Sequence, residues 1–496
     1  MKRQMIGLGR DALIYGLGSM ILRFMSLLLT PLYTARLLPQ DYGVLAMLGL
    51  LSMVVQPVFG LGLSASMGPI YYDGNDETTK ASAVWTVFAL HAVSAAVMIF
   101  AAGMMPAQIG DVVRLSVKDV PLVQMTLISC ALSIMATAWM QRVQFEKQVK
   151  LYVWVTTATA LISIVVSMIT VIVLEWGVTG IVISQLVGNA VSLIAFLFVG
   201  VRSTHVHLMQ LRSVQMMVRT KMIGELLRMG LPMMPSFAFL FILMQSNKYI
   251  LEWWAGLSAV GVYSVGFNFG SVMNIITGAI AVAWYPFLMS YMERPAEARV
   301  IFGRVFTYYV FGIGFLSLLF FLAAKPVMIL FTRDVYYDGA SVVGFVALSY
   351  MFQVAFSFFM PGLYFKKEIA YASVVQAVAA VVALLSNYVL IRMFGVLGAG
   401  IGVALGAFAL AAFMFVWNQL NAARYPPIDY EWRRIGLFAA GTLIIAVVNA
   451  NIPASDLRLE IVKAAVAGII GLGLVFVCMN EQEKLMILPA RARRIR

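Results

Sequence analysis

The sequence predicts an all-α polytopic membrane protein of about fourteen transmembrane helices, arranged as two six-helix bundles with two further helices at the C-terminal end. Three observations carry this. Hydrophobic residues make up 62% of the 496 and charged residues only 11%, whereas soluble domains carry about 25% charged residues; the mean hydropathy is +0.92. Long apolar runs recur along the whole chain, each close to the ~20 residues needed to cross ~30 Å of hydrocarbon. Backbone at that depth must satisfy itself as helix or closed barrel. Barrel strands alternate in and out over about ten residues, but these runs are continuously apolar and about twice as long.

In chain order the spans fall at 12–35, 42–67, 81–104, 121–141, 151–174, 178–200, 229–251, 260–289, 301–324, 341–362, 371–391, 396–418, 434–450 and 459–479. Lys2, Arg3 and Arg10 ahead of the first run resemble the start of a signal peptide. That run is too long and no small-residue cleavage site closes it, so it is read as a retained span. Cys130 and Cys478 both fall in apolar runs. Two distant cysteines make neither a disulfide framework nor a zinc spacing.

The net charge of +13 is explained by topology. Of the 35 Lys and Arg residues, the loops opposite the N-terminus hold only Arg36, Arg114, Lys118, Lys325, Arg333, Arg392 and Arg458, and the spans hold Arg23, Lys248 and Lys463. The rest lie on the side of the N-terminus. The positive-inside rule therefore puts both termini in the cytoplasm, and termini on one side require an even number of spans. Basic loops of this kind meet anionic lipid headgroups; nucleic acid is not an expected partner. The longest cytoplasmic connection, about 202–228, mixes His205, His207, Leu211, Met216, Met222 and Leu226 with basic residues. It suits either a helix lying in the interface or an ordinary charged linker.

The chain repeats itself. Gly43-Val44 recurs 218 residues on as Gly261-Val262, and Gly177-Val178-Thr179-Gly180 as Gly395-Val396-Leu397-Gly398. Gly60 meets Gly278 and Gly188 meets Gly406 at the same offset. Glycines at matching places mark helix starts and close helix contacts. Spans 1–6 and 7–12 are thus copies. Six spans is an even number, so the copies insert the same way up, related by a pseudo-two-fold axis along the membrane normal. The expected organisation is a first bundle over 1–205, a cytoplasmic interfacial linker over 206–228, a second bundle over 229–420, and two appended helices with a basic tail over 421–496.

Catalytic patterns are scarce. There is no H-E-x-x-H, G-x-S-x-G or Walker A motif, and His91, His205 and His207 form no metal spacing. Asp73-Gly74-Asn75-Asp76-Glu77 starts like a calcium loop without the rest of it. An enzyme, a metal site and a cofactor are therefore not expected.

Charge within the bilayer is more informative. An arginine at helix centre costs about 2.5–3.5 kcal/mol on insertion scales, so Arg23 must face a polar, anion-attracting cavity or be held in a buried pair or carbonyl contact. Its counterpart in the second copy is Phe241, which makes any such cavity asymmetric. Lys248, beside Gln245 and Asn247, either faces the same cavity or snorkels to the headgroups. Gln56, Asn268 and Asn274 either line the cavity or join helices. Pro31 and Pro57 interrupt spans 1 and 2, and Pro232 and Pro235 open span 7. Prolines bend helices, although near a helix start they also serve as ordinary first-turn residues.

Several stretches taken together carry a resemblance. They are Tyr15-Gly16-Leu17-Gly18-Ser19, then Arg23, then Thr30-Pro31-Leu32-Tyr33-Thr34 and Leu38-Pro39-Gln40-Asp41-Tyr42-Gly43. The second copy adds Gly230-Leu231-Pro232-Met233-Met234-Pro235-Ser236, Val260-Gly261-Val262-Tyr263-Ser264 and Trp284-Tyr285-Pro286-Phe287. Over roughly residues 10–420 the chain resembles the bacterial polysaccharide (O-antigen-type) flippases, within the multidrug/oligosaccharidyl-lipid/polysaccharide exporter superfamily. Family members often carry an Asp-Arg pair where this chain has Asn247-Lys248, so the positive charge survives and the acid is lost.

The resemblance implies alternating-access movement of a polyprenyl-pyrophosphate-linked oligosaccharide from the cytoplasmic to the periplasmic leaflet of the bacterial inner membrane, for surface polysaccharide. Arg23, with Lys248, would attract the pyrophosphate. The implied partners are the lipid-linked substrate, membrane lipids and polysaccharide assembly proteins such as a polymerase. The implied energy source is an H+ or Na+ gradient or the membrane potential, which supplies about 2.3 kcal/mol per charge per 100 mV. Rival readings are a lipid II flippase or a drug/cation antiporter of the same superfamily, and, from another class, a membrane glycan polymerase or ligase. The antiporter needs acidic cavity residues, and the polymerase large outer loops.

Overall fold

All regular structure among the described residues of the computed structural model is helical; these residues are 29–73, 77–203, 220–291, 294–368, 370–421, 427–453, 456–480 and 483–484. Eleven helices are long and apolar enough to cross a membrane. Two of them, Met234–Gly270 and Tyr371–Leu420, are broken by glycines in non-helical conformation, Gly256 (φ 77°) and Gly395 (φ 55°). The second is a hairpin: a Cβ on Gly398 would run into the Leu390 carbonyl, and one on Gly402 into the Asn387 side chain. Residues 12–28 of the 12–35 span lie outside the described residues.

The chain divides into two compact units, Met1–Gly261 and Val262–Arg496. In the first, α1 (Pro39–Gly60) and α2 (Leu63–Asp73) form one span interrupted at Leu61-Gly62. Then follow α3 (Glu77–Met104), α4 (Val120–Phe145), α5 (Val149–Met168, continued by a π turn over Ile169–Val173) and α6 (Gly177–Ser203). α7 (Thr220–Gly230) is short and strongly amphipathic: Lys221, Glu225 and Arg228 are exposed while Met222 and Leu226 are buried. α8 (Met234–Gly270) spans the boundary between the units. The second unit continues with α9 (Met273–Met289), α10 (Pro295–Phe331), α11 (Ala340–Phe358), α12 (Tyr371–Leu420), α13 (Trp432–Asn451) and α14 (Leu457–Cys478).

Each unit has its own core. In the first, Trp85 of α3 and Trp139 of α4 meet edge to face at 5.0 Å. Leu63, Met67, Phe196, Met222 and Leu226 close around them, so the amphipathic α7 is anchored by its apolar face. Gly200 has no room for a Cβ beside Trp139. In the second unit, Trp284 packs at a tilt on Phe358, with ring centroids 4.2 Å apart, and Tyr309 donates to the Met351 carbonyl at 2.6 Å. α13 and α14 dock on α10 through Phe311–Phe438 contact and through Glu460, which accepts from Lys325 at 2.6 Å and pairs with Lys463 at 2.8 Å. Lys463 also donates to the Ile452 carbonyl.

Only 17% of the most apolar stretch of Val149–Val173, Trp432–Asn451 or Leu457–Cys478 is buried, against 67% for Asp334–Phe365. Apolar surface on that scale is insoluble in water and at home against lipid tails. The chain is a multi-pass membrane protein.

The 218-residue repeat reads directly in the backbone. Gly177 and Gly395 both adopt φ +55° at the head of matching helices. Pro295, which opens α10, stands at that offset from Glu77, which opens α3. A Cβ on Gly43 would lie 2.7 Å from the carbonyl carbon of Leu257, and one on Gly261 the same distance from that of Pro39. Pro39 and Leu257 are themselves 218 apart, as are Gly43 and Gly261. This reciprocity, in which i meets j and the copy of j meets the copy of i, is the signature of a two-fold contact.

Candidate functional site

The polar centre of α8 is the run Gln245-Ser246-Asn247-Lys248. All four are buried, Asn247 to 1% and Lys248 to 9% exposure. Successive residues turn about 100° around a helix, so four consecutive buried residues mean that protein covers most of this turn, with exposure returning at Tyr249. The stretch Phe237–Gly270 has a mean hydropathy of 1.2, the lowest of the eleven spans. Polar groups inside a membrane are costly, and those that persist face the protein interior. The Asn247 Oδ1 accepts from the Lys248 backbone N–H at 2.9 Å, and the Gln245 Oε1 is buried with no hydrogen-bond partner. Since α8 continues to Gly256 before breaking, Lys248 sits about two turns from that end, deeper than a span ending at 251 would put it.

Beyond Lys248 the helix is clamped. Arg114, itself at φ 57°, lies over the rings of Tyr249 (5.9 Å) and Trp253 (5.2 Å) and pairs with Glu252 at 3.3 Å. A cavity of about 450 Å³ opens near the first residues of α1 and α6, with Asp41, Lys118, Asp119, Glu175 and Trp176 among its walls. Its acids already serve the fold: Asp41 accepts from the Leu38 N–H, Asp119 from Ser116, and Glu175 pairs with Arg36.

The second polar centre is the break between α1 and α2. α1 ends at Gly60, Leu61 takes φ 52° and Gly62 φ 66°, and α2 starts at Leu63. A non-glycine residue at positive φ is uncommon and persists where the surroundings enforce it. A Cβ on Gly62 would strike the Gly230 carbonyl group, 2.6 Å from its carbon, so the break is packed backbone to backbone against the end of α7. His91, midway along α3, is 1% exposed, and neither ring nitrogen makes a hydrogen bond of full geometry. The acceptors that approach its ring are the carbonyls of Gly60 and Ile134. One turn away, Gln56 Nε2 reaches Cys130 Sγ at 3.9 Å.

The sequence profile of the polysaccharide biosynthesis protein family matches residues 8–292. The chain belongs to that family. No curated protein matches it. Among solved structures it is similar to the lipid II flippase MurJ in an inward closed conformation, with 10% identity over 94% of this chain and 99% of that one and a TM-score of 0.73. It is also similar to an inward-facing multidrug resistance MATE family transporter of the MOP superfamily, with 15% identity over 82% and 98% and a TM-score of 0.63. At these identities the likeness shows the fold: this family member is built as MOP-superfamily transporters are.

The residues singled out from sequence are distributed as follows. Arg23 lies outside the described residues. Lys248, Asn247 and Gln245 are together in α8, and Gln56 is in the other polar centre, its side chain exposed. Asn268 and Asn274 fall in the second unit, both half-buried, with the Asn268 carbonyl accepting from Ser271 at 2.8 Å. Pro57 sits one turn before the α1 break. Pro31 is in the helical turns over 29–36. Pro232 occupies the first turn of a 3-10 segment and is exposed, and Pro235 follows the first residue of α8. Sequence reasoning did not place His91 in a site. The available signal was a histidine at the centre of an otherwise apolar run.

The distribution of acids is equally telling. Apart from Glu225 at the middle of the short α7, every described Asp and Glu stands near a helix end or in a loop: Asp41, Glu77, Asp119, Glu146, Glu175 and Glu252 in the first unit show the pattern. Of the described Lys, Arg, His, Asp and Glu side chains, those deep within spans of that unit are Lys248 and His91. Among the described residues no three metal-ligating side chains cluster.

Proposed function

We propose that this protein moves a polyprenyl-pyrophosphate-linked oligosaccharide from the cytoplasmic to the periplasmic leaflet of the bacterial inner membrane, both termini being cytoplasmic. The observation that carries the reading is Lys248, an ammonium buried among Gln245, Ser246 and Asn247 in the least apolar span. Sugars and a pyrophosphate lose their hydration on entering hydrocarbon, at a cost of several kcal/mol per unpaired polar group. Amide and hydroxyl side chains replace water around the sugars, and a fixed cation replaces it around the phosphates. Arg23, from the first span, supplies a second cation with bidentate geometry. The lipid tail stays in the bilayer throughout, and the two repeats rock to expose the polar centre to one leaflet and then the other.

Membership of the polysaccharide biosynthesis family and a fold shared with a lipid II flippase both favour this substrate class. The drug/cation antiporter reading fits less well, because the described deep ionisable groups are basic and the acids lie at helix ends. The partners under this reading are the lipid-linked glycan, the surrounding lipids and a polysaccharide polymerase.

The test is complementation of a strain lacking its own O-antigen-type flippase, read as surface glycan by gel and antibody, with membrane abundance measured in parallel. Charge-assisted hydrogen bonds contribute about 1.5–3 kcal/mol. Lys248→Met is therefore expected to lower display about ten- to hundredfold at unchanged abundance, while Lys248→Arg retains most of it. Full display with Lys248→Met would remove the buried ammonium from the mechanism, and failure of the unaltered chain to restore display would remove the substrate class.

A further inference from the structure

We infer that Arg114 is an outer subsite for the pyrophosphate of the lipid-linked substrate, held by the Glu252 carboxylate until that anion arrives. This rests on the transport reading above and adds to it the group that receives the phosphates after Lys248.

Lys248 and Glu252 are four residues apart in α8. They share a face of the helix and stand about 6 Å apart along its axis. Arg114 pairs with Glu252, so it brings a second cation to that face, one turn nearer the break at Gly256. Around it Tyr249, Trp253 and Trp254 are exposed, the two indoles stacked with ring centroids 5.9 Å apart. Exposed Tyr and Trp collect at the headgroup level of a membrane. With the termini cytoplasmic, as proposed above, this level is the outer one. A pyrophosphate carried across on a polyprenol comes to rest there, because its tail stays in hydrocarbon. The outer loops are poor in Lys and Arg, so a guanidinium kept among them calls for a reason.

The guanidinium is prepared for an oxyanion. Arg114 follows the short helix Pro106–Val112; its N–H donates to the Asp111 carbonyl at 3.0 Å, and the Leu115 N–H to the Gly110 carbonyl at 2.9 Å. This is the helix-ending motif whose left-handed residue is usually glycine. Arg114 takes that conformation at φ 57°, and its side chain supplies what a glycine would not. The guanidinium carbon lies 5.9 Å from the Tyr249 ring centroid and 5.2 Å from that of Trp253. Rings against its flat face fix its plane, and its donors lie in that plane, directed outward. The carboxylate now on it is loosely held. Glu252 Oε2 stands 3.3 Å from Nη1, whereas charge-assisted N–H···O bonds run about 2.7–2.9 Å and strong arginine pairs use two of them. The Arg114 side chain is 36% exposed and that of Glu252 14%, so the pair is open to exchange. A pyrophosphate carries more charge than one carboxylate and offers several oxygens, making two contacts where Glu252 makes one. Glu252 is the competitor whose return frees the phosphates to the outer leaflet.

The test uses the full chain in phosphatidylcholine nanodiscs, labelled with fluorotryptophan and titrated with undecaprenyl pyrophosphate. The Trp253 ring touches the guanidinium, so its fluorine NMR signal reports what Arg114 holds; Trp253→Phe assigns that signal among the nine tryptophans. Total binding is followed in parallel with radiolabelled ligand. The unaltered chain is expected to shift the Trp253 signal on binding. Arg114→Gln should abolish the shift or raise its midpoint about tenfold or more. Glu252→Gln should lower the midpoint about two- to fivefold, the most that a partly exposed pair is worth. The opposite signs separate a ligand site from a structural ion pair, whose two halves fail alike. Binding without a Trp253 shift, an unchanged midpoint with Arg114→Gln, or a raised one with Glu252→Gln overturns the proposal. Phosphatidylglycerol is the other source of phosphate; the same shift from it, at the same concentration, overturns the proposal in favour of an ordinary phospholipid contact. If the unaltered chain binds undecaprenyl pyrophosphate no better than undecaprenol, the substrate class falls and the subsite with it, whereas binding that ignores Arg114 removes the subsite alone.

Discussion

Adding a methyl group at Gly43 or Gly261 probes the two-fold contact directly. A Cβ at either position would stand 2.7 Å from a carbonyl carbon of the facing segment, whereas carbon atoms rest at about 3.5–4.0 Å. The obstruction is backbone, which cannot swing aside, so the segments Pro39–Gly43 and Leu257–Gly261 must separate by about 1 Å. Overpacking of this kind costs about 1–3 kcal/mol. Both methyls enter one contact, so the gap opened by the first accommodates much of the second. Gly43→Ala and Gly261→Ala should each lower unfolding stability of the purified chain in detergent by about 1–3 kcal/mol. The double variant should fall short of the sum by about 0.5–3 kcal/mol, the range seen for residues that touch. Denaturant titration followed by tryptophan fluorescence gives all four stabilities. Single variants within about 0.5 kcal/mol of wild type, or strictly additive losses, would refute the reciprocal contact.

Two further outcomes follow from the geometry. Gly395 sits at φ 55°, ψ −124° with open space around its missing Cβ, so Gly395→Ala should cost about 1–3 kcal/mol from backbone strain alone, measured by the same titration. Glu483, outside the spans, accepts from Arg434 and Tyr308. Burial pushes its carboxyl up, but Arg434 and the Asn480 N–H outweigh that and hold it below the ordinary glutamate value. A depressed folded-state pKa contributes stability that is complete above the unfolded value of about 4.3 and lost as pH falls through the folded one. Thermal stability measured across that acid range should decline more steeply for wild type than for Glu483→Gln.

The sequence by itself determined the class of the protein, most of the spans among the described residues and the repeat; the expected 260–289 span is instead two helices, parted between Gly270 and Met273. Burial in lipid requires ~20-residue apolar runs, and a composition of this kind leaves few other arrangements. The equal spacing of Gly43 with Gly261 and of Gly177 with Gly395 marked the two copies, because close backbone contact and positive φ each demand a residue without a side chain. Lys248 was legible as a charge inside an apolar run, although its depth was not, since only the observed continuation of α8 to Gly256 moved it inward. The tertiary structure alone decided what surrounds each polar group. Nothing in the string around His91 announces the Gly60 and Ile134 carbonyls, which come from helices more than thirty residues away on either side. Nor does Pro57 announce that the span breaks a turn later, at Leu61-Gly62, against Gly230. Apolar runs are specified residue by residue by transfer into lipid, whereas a buried polar site depends on which helices meet, and that is set by packing over the whole unit.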